Sequence, residues 1–320
     1  MLDVFFTVDV EIWCNGLTKT KGGFTEIFNK YVYGSTSKGD FGLQFQVDVL
    51  NDHGLTGVFF VEPLFSTHFG DEPLAEITNL LIAGTQEVQL HLHPEWVFES
   101  KVMLLDDVQT KRQHLLEFSL KEQTTLISTG IRLLEKAGVR DINAFRAGSF
   151  AFNADTLCAL AANGIPFDSS YNASLFGLDS GVMPGVTVVE PVVSHGIHEY
   201  PMTVFSDGTG SLRHAQLTAC STKEIEGLLW QALESGRSTF VILSHNFELL
   251  NPAKDRPDDV VVKRFRKLCS FLDRNSDTFR VRGFQGLKAQ ETLRQPPPLK
   301  SPIWLTGSRM IEQIYRRRYQ

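Results

Sequence analysis

Short apolar runs alternate with amphipathic segments along most of the chain, and this alternation predicts repeated βα units. The predicted strands are residues 4–8, 57–61, 88–92, 142–145, 186–189, 198–202 and 240–243. The predicted helices are residues 41–53, 72–83, 108–137, 155–163, 222–235 and 259–274. In the longest of them, one buried face is indicated by the spacing of Leu116, Leu120, Ile127, Ile131 and Leu134. The strand–helix–strand rhythm predicts a mostly parallel sheet or barrel.

Glycine and proline residues mark the ends of predicted helices and one boundary in the chain. Gly54, Gly138 and Gly164 follow predicted helices, as helix C-termini commonly require. The three consecutive prolines at 296–298 impose an extended segment, so we divide the chain into residues 1–294 and a Pro-rich segment with a short tail, 295–320. The tail contains Arg316-Arg317-Arg318, which predicts either a docked or frayed tail with solvated charges, or a contact with a membrane surface or a partner.

Composition limits the classes of protein to be considered. A length of 320 residues suits two average domains, but one α/β barrel commonly uses ~250 residues by itself. The formal net charge is −6 with no long basic run before the tail, which argues against a nucleic-acid partner. Four cysteines lie far apart without a Cys-x-x-Cys pair, which excludes a zinc ribbon and argues against a disulfide scaffold: Cys14, Cys158, Cys220 and Cys269.

The first residues do not resemble a secretory signal. Asp3 stands where a signal peptide needs basic residues, and Asp9 and Glu11 follow soon after. No apolar stretch approaches the ~20 residues of a membrane-spanning helix. We therefore predict a cytoplasmic protein without an integral membrane segment.

Polar residues interrupt two predicted strands near their carboxyl ends. In the run Thr7-Val8-Asp9-Val10-Glu11, strand alternation places Asp9 and Glu11 on one side, where two carboxylates need a proton or a cation between them. In the run Gln89-Leu90-His91-Leu92-His93-Pro94-Glu95, the same alternation places His91 and His93 together. Such a His-x-His is a common metal-binding arrangement, and Glu95 offers a further oxygen ligand.

Two more polar interruptions follow later strands. Arg146 comes directly after a predicted strand and just before Gly148, a position suited to a bidentate contact with a carboxylate. His245 follows four apolar residues and Ser244, so it lies at the end of a predicted strand, where its imidazole could act as an acid or a base. The carboxyl ends of parallel strands line the active sites of α/β folds, so these residues are expected to meet.

The order of these motifs along the chain resembles that of the polysaccharide deacetylase superfamily, the chitooligosaccharide deacetylase-like domain of carbohydrate esterase family 4. The motifs are the carboxylates Asp9 and Glu11, the histidines His91 and His93, then Arg146, and finally His245. The resemblance runs from Phe6 to about Leu250 and is closest to the branch with Asp-x-Glu in its first motif and Arg-x-Gly-Ser-Phe in its third. It implies an α/β fold, a distorted (β/α)7 TIM-like barrel that forms a single domain. One site assembled from Asp9 to His245 replaces the two-domain estimate.

The resemblance also implies a metal-dependent hydrolase that removes an acetyl group, most simply from nitrogen. Asp9 corresponds to the catalytic base, Arg146 to the residue that orients it, and His245 to the general acid that protonates the leaving amine or alcohol. Glu11 and His91 correspond to ligands of a divalent metal, most simply Zn²⁺. His93 and Glu95 compete for the third ligand position.

Two positions depart from the family pattern. Glu11 stands where many members have aspartate, and this moves its carboxylate outward by one methylene group. Asn246 stands where many members have aspartate, and this affects how the pKa of His245 is set.

The predicted substrate is an acetylated sugar or glycan precursor, either nucleotide-linked or lipid-linked. Trp13 and Trp96 each follow a motif, where an aromatic ring either stacks on a sugar or packs at the barrel rim. Two alternatives stay open at this point: a hydrolase of another C–N bond on the same scaffold, of the allantoinase type, and an inactive carbohydrate-binding barrel.

Overall fold

The strand Leu2–Val10, β1, lies at the centre of the fold, and all nine of its residues are buried. Burial on both faces is what a central parallel strand requires. The computed structural model describes residues 1–13, 23–106, 108–289, 291–292 and 294–319, and the structural statements below concern those residues.

Most of the remaining strands are short. They are β2 (Ser35–Thr36), β3 (Gly39–Asp40), β4 (Val58–Val61), β5 (Glu87–Leu92), β6 (Ala144–Ala147), β7 (Phe167–Asp168), β8 (Val192–Ser194), β9 (Ile197–Glu199), β10 (Val204–Ser206), β11 (Leu212–His214), β12 (Thr239–His245), β13 (Phe279–Val281) and β14 (Leu299–Lys300). The helices are α1 (Gly23–Phe28), α2 (Leu43–Asp52), α3 (Ser66–Phe69), α4 (Glu72–Ala83), α5 (Trp96–Glu99), α6 (Leu120–Lys136), α7 (Ala154–Ala162), α8 (Thr222–Glu234), α9 (Asp259–Arg274) and α10 (Ile303–Tyr319).

Seven strands run parallel in the spatial order β12-β1-β4-β5-β6-β7-β9. β13 also pairs with the start of β1, and β8 adds to β9 in the antiparallel direction. The sheet curls with helices packed outside it, which confirms the predicted single-domain, distorted (β/α) barrel. The parallel direction brings the carboxyl ends of these strands to one rim.

The predicted helices 72–83 and 259–274 have the predicted bounds, and four others agree in part or within a few residues. The predicted helix 108–137 is wrong over its first 12 residues, since α6 begins only at Leu120. Ser119 caps this helix: its hydroxyl oxygen accepts a hydrogen bond from the Glu122 N–H. The Glu122 carboxylate in turn accepts a hydrogen bond from the Ser119 N–H. Leu116 and Leu120 are consequently exposed instead of buried.

The predicted strand 186–189 is also wrong, because its backbone bonds to side chains. The Val188 N–H donates to the Tyr171 hydroxyl at 3.3 Å, and the Val189 N–H donates to Gln295 Oε1 at 2.7 Å. No N–H of these two residues is left for a neighbouring strand. The apolar character of the run reflects packing, since Val188 is fully buried.

Cys158, Cys220 and Cys269 are free thiols, as the absence of paired spacing predicts, and Cys14 lies outside the described residues. Among the helices of the described part of the chain, none combines the length and apolarity needed to cross a bilayer.

The tail is docked against the barrel. β14 pairs with β10, and α10 packs along α8 and α9. Its central anchor is Arg309, which is almost fully buried and donates to Glu224 Oε1 at 2.9 Å and to Asp207 Oδ2 at 2.8 Å. A second anchor joins Arg316 to Asp258 at 2.7 Å.

Replacing Arg309 with alanine leaves the buried carboxylates of Glu224 and Asp207 without their cation. We expect R309A to lower the free energy of unfolding by about 3–5 kcal/mol, measured by urea denaturation. The exposed Lys223→Ala on α8 serves as the control and should change it by less than about 0.5 kcal/mol. Equal stability of R309A and K223A would contradict the anchoring role.

Candidate metal centre and active site

The strand ends converge on one cavity of about 360 Å³. Its lining includes every predicted site residue except Arg146: Asp9, Glu11, His91, His93, Glu95 and His245, together with Trp13, Gln113, Ser149 and Phe150. Arg146 lies beneath this lining, fully buried, with its guanidinium on Asp9. The structure thus brings all seven predicted residues to one place.

Strand register explains why residues so far apart in sequence meet. Asp9 on β1 lies opposite His245 on β12, and His91 on β5 lies opposite Arg146 on β6. Each pair occupies neighbouring positions of adjacent parallel strands, so the side chains point to the same side of the sheet.

Glu11, His91 and His93 form a cluster of possible metal ligands, since one ligand atom from each lies within 4.8 Å of the others. His93 Nε2 contacts Glu11 Oε2 directly, and His91 Nε2 is 3.7 Å from the same oxygen. The cluster lies at the bottom of the cavity, with Glu11 and His91 buried.

The second nitrogen of each imidazole has its own acceptor. His91 Nδ1 lies 2.7 Å from the Arg146 carbonyl oxygen, which can only accept, so Nδ1 donates there and Nε2 faces Glu11. His93 Nδ1 lies 3.4 Å from Glu95 Oε2, which leaves Nε2 for the cluster. Metal-binding histidines are typically held in this way by a carbonyl or a carboxylate.

The electrostatics of the cluster suit a cation. Burial opposes ionisation of Glu11, but the charge of His93 and hydrogen bonds from both histidines hold its pKa well below its usual range. Burial likewise opposes protonation of His93, and the carboxylates of Glu11 and Glu95 nevertheless raise its pKa well above the usual value. Two imidazole nitrogens and one carboxylate oxygen are a donor set that a divalent ion such as Zn²⁺ accepts.

Asp9 is held by the barrel interior. Arg146 Nη1 donates to Asp9 Oδ1 at 2.7 Å and to Thr7 Oγ1 at 2.8 Å. Its other nitrogens donate to the backbone oxygen and hydroxyl of Ser169 at 3.0 and 3.1 Å. The ion pair fixes the position of the Asp9 carboxylate at the edge of the cavity.

His245 has a carboxylate partner that our sequence analysis did not identify, Glu248. Glu248 Oε1 lies 2.8 Å from His245 Nδ1, three residues along the chain in the turn after β12. Burial alone would lower the pKa of His245, but the hydrogen bond and charge of Glu248, with smaller contributions from Glu11 and Asp9, raise it to about 9. His245 is therefore protonated at neutral pH.

Asn246 does not contact the His245 ring nitrogens through any bond of the described residues. Its Oδ1 accepts from the Glu11 N–H at 3.2 Å, and its Nδ2 donates to the backbone oxygens of Glu11 and Tyr31. Asn246 therefore holds the backbone at the end of β1, and it is Glu248 that raises the pKa of His245. An acidic residue at i+3 from a strand-end histidine is the signal in the sequence that points to Glu248.

The two tryptophans after the motifs have different surroundings. Trp13 is about half exposed (47%) at the cavity and donates its indole N–H to Glu11 Oε1 at 2.7 Å. Trp96 is fully buried against Phe65 and Phe69, so it packs in the core and does not face a ligand.

The backbone after β6 passes very close to the histidine cluster. A Cβ at Gly148 would lie 2.7 Å from the Leu92 carbonyl oxygen and 2.9 Å from His93 Nδ1. Ser149 and Phe150, both at the cavity, have left-handed φ angles of 55° and 58°, which are rarely adopted outside glycine. This turn sets where the His93 ring can lie.

A methyl group at position 148 should therefore displace His93. We expect G148A to weaken Zn²⁺ binding about 10–100-fold, measured by isothermal titration calorimetry on metal-free protein. Gly227→Ala on α8, where a Cβ meets nothing within 4 Å, is the matched control and should bind Zn²⁺ as the parent chain does. Unchanged affinity in a folded G148A protein would contradict the placement of His93 in the cluster.

Comparison with known proteins identifies the fold. A scan of family models and a search of curated proteins yield no match. Among solved structures, the chain is similar to a protein from Mycobacterium smegmatis assigned by inference as a polysaccharide deacetylase, with a TM-score of 0.55 and 20% identity over 92% of this chain and 94% of that one. The similarity supports the barrel fold that the sequence resemblance implies.

More distant similarities include a family 4 carbohydrate esterase from Streptomyces lividans in complex with acetate, with a TM-score of 0.46 and 12% identity over 90% of this chain and 96% of that one. A family 4 pseudoenzyme from Bacillus anthracis has a TM-score of 0.42 and 11% identity over 86% of this chain and 62% of that one.

Proposed function

We propose that this protein is a metal-dependent hydrolase of the polysaccharide deacetylase superfamily that removes the N-acetyl group from a carbohydrate or glycan precursor. One observation carries the proposal: a carboxylate held by a buried arginine and a histidine held by Glu248 line the same cavity as a Glu-His-His cluster. That combination supplies a base, an acid and a site for a cation around one substrate bond.

In this proposal Glu11, His91 and His93 hold the metal, most simply Zn²⁺, and Glu95 orients His93 instead of binding the ion. The distance of 3.4 Å from Glu95 to His93 Nδ1, on the far side of the ring from Glu11, supports this division. A divalent ion bound there supplies Lewis acidity, which polarises a carbonyl group and makes a water molecule more acidic.

Asp9 acts as the base. It takes a proton from the water whose oxygen adds to the acetyl carbon, and the ion pair with Arg146 holds it in position for this step. The bond between the acetyl carbon and nitrogen then breaks, and the products are acetate and a free amine.

His245 acts as the acid and protonates the leaving nitrogen. Glu248 holds Nδ1, so Nε2 is the nitrogen directed toward the cavity, where it lies 3.9 Å from Glu11 Oε1. The bond to Glu248 fixes the ring and favours the protonated form that donation requires.

The cavity suits a small acetylated sugar unit. Its volume of about 360 Å³ lies near the lower end of the usual range for ligand pockets, about 300–1,000 Å³. The half-exposed ring of Trp13 provides a surface on which a sugar ring can stack.

The activity is tested by acetate release from a panel of N-acetylated and O-acetylated sugars, with cyclic ureides as the contrasting substrates, after loading with Zn²⁺ or Co²⁺. We expect D9N and H245A each to reduce the rate about 10²–10⁴-fold. His195→Asn, a change at an exposed histidine whose φ of 52° asparagine tolerates, is the control. No acetate from any sugar, or full activity of D9N, would refute the proposal.

Glu248 is a positioning residue in this scheme, since it acts through His245. We expect E248Q to lower kcat roughly ten- to a thousandfold because the glutamine does not stabilise the protonated ring, while KM and Zn²⁺ affinity change little. The exposed Glu234→Gln on α8 controls for the loss of one charge. A parallel loss of metal affinity, or an unchanged kcat, would contradict this role.

A further inference from the structure

Helix α10 exposes most of its large apolar side chains, while several of its charged and polar side chains lie against the barrel. Six large apolar residues of this single helix are at least half exposed: Ile303, Trp304, Met310, Ile311, Ile314 and Tyr315. Ile311 and Ile303 have about 70% of their surface in contact with solvent (72% and 70%). At 3.6 residues per turn these positions form one continuous face.

The opposite face carries most of the charged and polar side chains of the helix and lies against the barrel. Arg309 reaches Glu224 and Asp207, Arg316 reaches Asp258, and Glu312 pairs with Arg264 of α9. Two of these anchors, Arg309 and Arg264, are nearly fully buried. Because the anchors hold the polar side inward, α10 cannot turn its apolar side toward the core without breaking buried ion pairs.

This arrangement is the reverse of an ordinary surface helix, which packs its apolar stripe on the core. Isolated exposed apolar residues are common on soluble proteins, but a contiguous apolar face marks a binding surface. The exposed apolar face of α10 therefore indicates that this side of the helix binds another apolar surface.

The charges around the apolar face are basic. No exposed position of α10 is acidic, and Lys223, Lys300 and Trp304 line a common cavity of about 270 Å³ between α8 and the start of the tail. Lys300 and Arg318 of the tail are exposed as well, whereas its single acidic residue, Glu312, is paired with Arg264.

The same charges argue against a second copy of this chain as the covering partner. A two-fold symmetric interface brings a surface against itself, so basic residues would meet basic residues around an apolar centre. Like charges placed together in this way destabilise an interface. An anionic surface has the complementary charge.

We propose that the outward face of α10 binds the surface of an anionic lipid bilayer. Tryptophan and tyrosine beside isoleucine, flanked by basic residues, are the composition of helices that lie in the bilayer interface. The helix would lie along the membrane surface with the barrel on its aqueous side. The proposal stands apart from the hydrolase activity, since no residue of the cavity takes part in it.

The test is co-sedimentation of the full-length chain with vesicles of phosphatidylcholine alone or with about 30% phosphatidylglycerol, at a fixed salt concentration. We expect binding to the anionic vesicles at least about tenfold stronger than to the neutral ones, and weaker binding as salt is raised. Blue-shifted tryptophan emission on binding, abolished by W304F, would report insertion of this helix.

The double variant I311E/I314E introduces two charges into the exposed face without touching an anchor, and we expect it to lose at least about tenfold of the vesicle affinity. V102E/M103E, two exposed apolar residues outside α10, is the matched control and should bind as the parent chain does. Circular dichroism and thermal unfolding establish that both variants fold.

Three results would overturn the proposal: no sedimentation of the parent chain with anionic vesicles, equal loss of binding in both double variants, or binding that I311E/I314E leaves unchanged. Light scattering distinguishes the competing occupant. A parent chain that is dimeric and does not bind vesicles, with a monomeric I311E/I314E variant, would assign the face to a second copy instead.

Discussion

A guanidinium enclosed in the barrel is the constraint on which the site depends. Arg146 is wholly buried, and a buried cation destabilises the fold by several kcal/mol unless its N–H groups find acceptors. Asp9 and Thr7 accept from one nitrogen, the backbone and hydroxyl of Ser169 accept from the others, and the ring of Phe60 lies 4.4 Å from the guanidinium carbon. One side chain therefore contacts strands β1 and β4 and the residue that follows β7, all from its own position on β6. The orientation of Asp9 is thus a consequence of how the barrel interior neutralises its arginine.

The same interior contains a second pair of carboxyl groups. Asp168 on β7 and Glu199 on β9 are register partners, and both are completely buried. Burial raises the pKa of Asp168, and burial together with the neighbouring charge of Asp168 raises that of Glu199 well above its usual value, so the pair favours sharing one proton. With that proton, the pair carries one negative charge near Arg146. The positive charge that orients Asp9 is therefore balanced from both sides of the barrel, and this balance accounts for acidic residues in an otherwise apolar region.

The sequence predicts those features that depend on local periodicity. Strand alternation and the parallel direction are sufficient to predict that Asp9, His91 and His245 meet at one rim. The choice between His93 and Glu95 depends on the rotation of an imidazole ring, which is set by the passage of Gly148 beside it from another strand. Apolar composition also predicts a strand wrongly where the hydrogen-bond partners of the backbone lie far away in sequence. The run 186–189 bonds to Tyr171 and Gln295, and no periodicity within the run reveals that. The inverted orientation of α10 depends likewise on acidic partners in distant segments.

The tail and the rim of the cavity are connected through one carboxylate, that of Asp258. Asp258 caps α9 with one oxygen, accepting from the N–H groups of Val260 and Val261, and takes Arg316 of α10 with the other. Its own N–H donates to the Leu249 carbonyl oxygen at 2.8 Å, and Leu249 directly follows Glu248. The loop that holds the partner of His245 is therefore fixed between the end of β12 and the anchored side of α10. Because the anchors of α10 on this loop come from its polar side, its apolar side can contact another surface without displacing Glu248 or His245.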